Sequence, residues 1–144
     1  MAADGLTTIR SHYGPEETMA RLEAAVTARG MTVFAHIDHA AGAAEVGLPL
    51  RPTDLLIFGS PKGGTPLMQS LQTIGIDLPL KALVWRDEAG TTWLSYNDPT
   101  WLVERHGGRV RHQGGRSHHG RRARRDRKGC HVSFARTVGP PDAR

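Results

Sequence analysis

The chain has 144 residues, one cysteine and a formal net charge of +5, a length that suits one domain with a real core and falls short of two. The charge is unevenly placed: residues 1–106 hold 8 Lys/Arg against 12 Asp/Glu, a net −4, and residues 107–144 hold 11 against 2, a net +9. A body of that sign offers a polyanion no general attraction, so nucleic acid is expected to bind only non-specifically and only through the C-terminal segment.

The opening "MAADGLTTIR" lacks the basic start and apolar middle of a secretory signal, and no later stretch approaches the roughly 18 apolar residues of a membrane span. The expected compartment is the cytoplasm, with no membrane partner. A short strand is expected around "LTTIRS". In "GPEETMARLEAAVTARG", Pro15 suits a first helical position, Glu16 and Glu17 the first turn, Arg29 the last turn and Gly30 the stop. Met19, Leu22 and Val26 then share one face of an amphipathic helix. In "MTVFAHIDHA", Met31, Val33, Ala35 and Ile37 alternate with Thr32, Phe34, His36 and Asp38, the period of a strand with two different faces. Asp38 can cap a short helix, "HAAGAAEVG", closed by Gly47; the "LPLRP" that follows is too rich in proline to be helical.

"TDLLIFGS" holds the continuous run Leu55, Leu56, Ile57, Phe58, which reads as a strand buried on both faces. "GSPKGGTP" reads as a loop, and "TPLMQSLQTI" as a helix with Thr65 capping and Pro66 in the first turn. Two further strands, "LPLKALVW" and "TTWLSYN", are joined by "RDEAG", whose Gly90 suits a hairpin turn. In "NDPTWLVERHG" Asp98 is a cap and Pro99 opens a last helix. The order βαβαβαββα predicts an α+β fold, a single mixed β-sheet with packed helices.

Four features bear on chemistry. The loop fails as a nucleotide cradle, because Lys62 precedes Gly63 and Gly64 instead of following the last glycine. Amides at Lys62, Gly63, Gly64 and Thr65 could still face a small anion at a helix start, against the plainer reading of a tight strand-to-helix connection. His36, Asp38 and His39 form a polar cluster in which two imidazoles and a carboxylate could approach one metal ion. No second pair of ligands stands out, His12 and His106 look isolated, and neither a metal nor a cofactor is expected. Of the paired carboxylates, Glu16–Glu17 suits a helix start and Asp87–Glu88 a solvated turn. Ser11, Ser60, Ser70 and Ser95 lack the Gly-x-Ser-x-Gly elbow of a nucleophile. The aromatics Trp85, Trp93, Tyr96 and Trp101 fit core or dimer packing better than a stacking platform for a ligand.

The combination of "LRPTDLLIFGSPKGGTPLM", "LPLKALVW" and "YNDP" resembles the bacterial family called domain of unknown function 302, over about residues 5–107. The resemblance implies a compact α+β domain related to the TATA-box-binding-protein-like architecture, forming a homodimer; it implies no activity and supplies no catalytic residue. The departure comes after "RHG", where members of that family continue with an amphipathic helix rich in alanine and leucine. Here residues 108–144 are an Arg/Gly/His-rich tail, expected to be disordered. It reads either as an out-of-frame translation of a GC-rich gene or as a selected arm that attracts RNA by charge and guanidinium stacking. Cys130 and the histidines His112, His118, His119 and His131 belong to it. Loss of the helix should leave apolar sheet surface exposed. The expected function is a non-enzymatic binding or accessory role as a homodimer, with a small anion as candidate ligand. The alternatives are a small-molecule or metal-dependent enzyme at Asp38, His39, Lys62 and Thr65, and polyanion binding through the tail.

Overall fold

The computed structural model describes residues 3–109; the tail from residue 110 on, with Cys130 and its histidines, lies outside the described residues. The elements follow the expected order. Strands β1 (Leu6–Arg10), β2 (Thr32–Asp38), β3 (Thr53–Gly59), β4 (Leu80–Arg86) and β5 (Thr92–Asn97) alternate with helices α1 (Pro15–Ala28), α2 (His39–Glu45), α3 (Pro61–Ser70) and α4 (Pro99–Arg105). A 3-10 helix, Gln72–Ile76, lies between α3 and β4.

Helix α1 organises the core. Gly14 precedes it in an extended conformation and Pro15 opens it, where a missing N–H costs nothing. The buried hydroxyls of Ser11 and Thr18 bond each other at 2.6 Å, satisfying two polar groups that burial takes from water. Met19, Leu22 and Val26 are buried against Leu56 and Phe58 of β3, Ala82 and Val84 of β4, and Leu94 of β5. Each large side chain so buried contributes on the order of 1.5–3 kcal/mol.

The five strands form one sheet in the order β1-β5-β4-β3-β2, and every pairing is antiparallel. The sheet is therefore single, as the sequence suggests, but not mixed. Alternation of strands and helices points to parallel crossovers only when each helix can run back the length of a strand, about 23 Å for seven residues. Helix α1, of 14 residues, spans about 21 Å and joins the two edge strands β1 and β2. Helices α2 and α3, of 7 and 10 residues, reach only about 10 and 15 Å, so they sit inside connections between antiparallel neighbours.

Two local readings change. Helix α3 starts four residues earlier than "TPLMQSLQTI" suggests, with Ser60 extended at the N-cap, Pro61 at the first position and Pro66 inside the helix. Ser-Pro is a sufficient start, and the two glycines are drawn into the first turn, where the Gly63 and Gly64 amides both donate to the Ser60 carbonyl. Strand β3 is buried on one face only: Leu56 and Phe58 are in the core while Leu55 and Ile57 are partly exposed.

Helix α4 folds back under the sheet end. The Asp98 carboxylate accepts from the Thr100 amide at 2.7 Å, and the Asp98 amide donates to the Gly5 carbonyl at 2.8 Å. Gly5 has φ +74° and lies so close to the Trp101 ring that a Cβ there would overlap it. Gly90, at the β4–β5 turn, has φ +84° with open space around it. The Gly90→Ala change should cost about 1–2 kcal/mol, the left-handed penalty alone. Gly5→Ala should cost more, and part of the excess should vanish in the Gly5→Ala/Trp101→Ala double variant, read by thermal unfolding as a mutant cycle.

Candidate functional site

The residues singled out from the sequence do not converge. Asp38 pairs with Asp54 at the start of β3, whereas Gly59, which leads into Lys62 and Thr65, pairs with Thr32. Five residue steps of strand separate Asp54 from Gly59, about 17 Å, so Asp38 and His39 stand at one end of the sheet and Lys62 and Thr65 at the other. The enzyme site imagined across these four residues is not assembled. Lys62, Gly63 and Thr65 are exposed and Gly64 half-buried, all within α3, and the glycine amides are already spent on Ser60.

The histidine cluster is likewise split. The Asp38 carboxylate caps α2, accepting from the Ala41 amide at 2.8 Å, as its position suggests. His39 is the exposed first residue of that helix. His36 turns instead toward α1 and β3, with Nδ1 at 3.3 Å from Glu23 Oε1 and Nε2 at 3.3 Å from Asp54 Oδ1. Among the described residues no group of three or more His, Cys, Asp or Glu is placed to hold a metal ion.

Two features are visible only in three dimensions. The first is the sheet face away from α1. Strand partners share a face, so the registers place Leu83 and Trp85 of β4, Leu55 and Ile57 of β3, Trp93 of β5, and Ile37 of β2 together on it. None of these is buried, while Leu56, Phe58, Ala82, Val84 and Leu94 on the opposite face all are. The Trp85 and Trp93 rings stack with centroids 6.2 Å apart. Trp85 Nε1 donates to Ser95 Oγ at 2.9 Å, and Ser95 Oγ bonds Thr8 Oγ1 at 2.8 Å. Trp93 Nε1 donates to Asp87 Oδ2 at 2.7 Å and the Thr91 amide to Asp87 Oδ1 at 2.8 Å. Asp87 thus fastens the hairpin instead of being merely solvated. The four aromatics divide between surfaces: Tyr96 packs against the α1 core, where burial raises its pKa above the ordinary value, and Trp101 covers Gly5.

The second feature centres on His106, which is far from isolated. Its Nε2 lies 2.6 Å from Asp77 Oδ2 and its Nδ1 2.9 Å from Thr73 Oγ1. Arg105 Nη1 reaches both Asp77 oxygens, at 3.0 and 3.2 Å. The imidazole is nearly enclosed, its side chain 9% exposed, while Thr73 is exposed. Thr73 lies in the first turn of the 3-10 helix and Asp77 caps its end, while Arg105 and His106 end α4. The packing of α4 on that turn brings the four together, and no local pattern in the sequence announces it.

Among the described residues, a single antiparallel sheet with α1 packed on one face defines a small two-layer α+β domain. The chain belongs to the family described as Domain of unknown function DUF302, whose model matches residues 7–113. A crystal structure of a conserved DUF302 protein from Bacillus stearothermophilus is similar over 73% of this chain and 82% of that one, with 26% identity and a TM-score of 0.67. Among curated proteins, the chain is 52% identical over 102 residues to fluoride-specific ion channel FluC 1 of Brucella suis biovar 1, a match covering 71% of this chain and 40% of that protein. Fluoride-specific ion channel FluC 2 of Brucella melitensis biotype 1 matches at the same identity over 38% of its length. The chain thus spans about two fifths of these relatives.

The hydrogen bonds from Trp93 and then from the Thr91 amide hold the Asp87 carboxyl below its ordinary value of 3.8. A depressed folded value means that Asp87 contributes stability fully above pH ~4, lost as the pH falls through the lower folded value. Asp87→Asn should therefore lower the melting temperature at neutral pH, and its deficit against the parent should shrink below pH ~4. Thermal unfolding monitored by tryptophan fluorescence across pH 2–7 measures this.

Proposed function

We propose that this chain is an accessory domain of the bacterial cytoplasm that works as a homodimer, joined through the sheet face away from α1. The observation that carries the reading is the chemistry of that face. Leu55, Ile57, Leu83, Trp85 and Trp93 are neighbours on that face, and each stays partly exposed among the described residues; apolar surfaces of this kind mark protein contacts. The continuous apolar run of β3 supports the same reading, because such runs belong to strands covered on both sides. A flat face offered by one copy is met by the same face of another through a two-fold axis. The tryptophan indoles already have partners in Ser95 and Asp87, so covering the rings strands no polar group.

The Brucella relatives suggest where such a domain acts. A channel pore needs segments that satisfy their backbone inside the bilayer, and among the described residues no helix is long and apolar enough to cross a membrane. The matched part of those channel proteins is then an appendage and not the pore. By this reading the chain is a counterpart of that appendage, serving fluoride export.

Sedimentation of the full chain over a range of concentrations should show a monomer–dimer equilibrium. Leu83→Glu, at the centre of the face, should leave a folded monomer, and a parent that stays monomeric at all concentrations would overturn the dimer. For the channel role, removing the 102 matched residues from the Brucella suis channel should leave fluoride efflux from reconstituted vesicles in place. Loss of efflux from a properly inserted truncated channel would overturn it.

A further inference from the structure

We propose that Thr73, His106 and Asp77 form a nucleophilic hydroxyl site that takes acyl groups from small activated carboxylic esters. Three elements of such a site stand within hydrogen-bond reach: a hydroxyl, a base and a carboxylate that orients the base. Thr73 Oγ1 and His106 Nδ1 are 2.9 Å apart, and His106 Nε2 and Asp77 Oδ2 are 2.6 Å apart. In neutral imidazole one nitrogen donates and the other accepts. With Nε2–H given to the Asp77 carboxylate, Nδ1 is left to accept the Thr73 proton, the tautomer that general-base action requires.

The surroundings favour this use. The imidazole is 9% exposed and the carboxylate 15%, so both are held in place, whereas Thr73 opens to solvent at the start of a 3-10 turn. Arg105 is 52% exposed and uses one nitrogen on Asp77. It anchors the carboxylate that orients His106. The exposure of Thr73 leaves room for a small acyl group to approach it.

In the acylation step, Thr73 Oγ1 bonds to the ester carbonyl carbon as its proton passes to His106 Nδ1. The carbon–oxygen bond to the leaving group then breaks, and the departing alkoxide takes that proton. In the second step a water gives a proton to Nδ1 and its oxygen bonds to the same carbon; the Thr73 ester bond breaks and the proton returns to Thr73. The sum is ester plus water giving acid plus alcohol. Asp77 acts through His106 and is a positioning residue.

The test uses p-nitrophenyl acetate on the full chain, following nitrophenolate release and locating any acetyl group by peptide mass mapping. The expected result is an acetyl adduct on Thr73, absent in Thr73→Val and present at position 73 in Thr73→Ser. His106→Gln should slow release by about 100-fold or more, the range of a lost general base. Melting temperatures of the variants separate this from unfolding, and Thr73→Ser keeps the test open if Thr73→Val fails to fold. No adduct on the parent, or an adduct confined to lysines or to the N-terminus, overturns the site.

Discussion

Everything in this domain depends on one helix covering one face of one sheet. Met19, Leu22 and Val26 are the side chains of α1 that meet the strands, and the residues beneath them are drawn from β3, β4 and β5. Because α1 also carries the chain from one edge strand to the other, its docking closes the longest-range connection in the sheet and buries the core in the same event. A loop closed over such a span costs entropy that only the buried apolar area offsets. Loss of any of these contacts therefore threatens the topology as well as the stability.

The same economy leaves the other elements at the periphery. Helix α2 buries no residue and α3 buries none; α2 is held by its Asp38 cap, and α3, which has no side-chain cap, by its contact with the 3-10 helix that follows it. Helix α4 is held differently. Leu102 and Ile74 are buried outside the main core, and Arg105 and His106 tie its end to Asp77 and Thr73. Polar chemistry thus accumulates where two short elements meet with too little apolar surface between them. Among the described residues, Thr73, Asp77, Arg105 and His106 form such a cluster where α4 meets the 3-10 helix.

Much of the fold was legible because it is written in local signals. Pro15, Asp38, Asp98 and Gly90 each do what their residue type suggests, opening, capping or turning the chain. Strand pairing was less legible: helix length, not helix presence, decides whether neighbours run parallel, and the glycines at Gly63 and Gly64 hide the true start of α3. The polar clusters were misread for a related reason. His36 was paired by proximity in sequence with Asp38, yet its neighbours Glu23 and Asp54 come from α1 and from the adjacent strand. His106 lies 33 residues from Thr73, a separation that no spacing rule bridges.

The apolar run of β3 shows how a sequence can be right about an environment that one chain does not supply. Leu55 and Ile57 have the composition of residues covered on their side of the sheet, and among the described residues that side stays partly open. A surface that were meant to face water would gain solubility from polar residues at these positions at no cost to the core, since the α1 contacts use only the alternate side chains. Instead the face continues across β4 and β5 through Leu83, Trp85 and Trp93, and its two indole N–H groups are bonded to Ser95 on the same face and to Asp87 in the hairpin turn. A face whose rings are apolar and whose indole donors already have partners is prepared for desolvation. That preparation, more than the exposed area itself, distinguishes a binding face from a defect in packing.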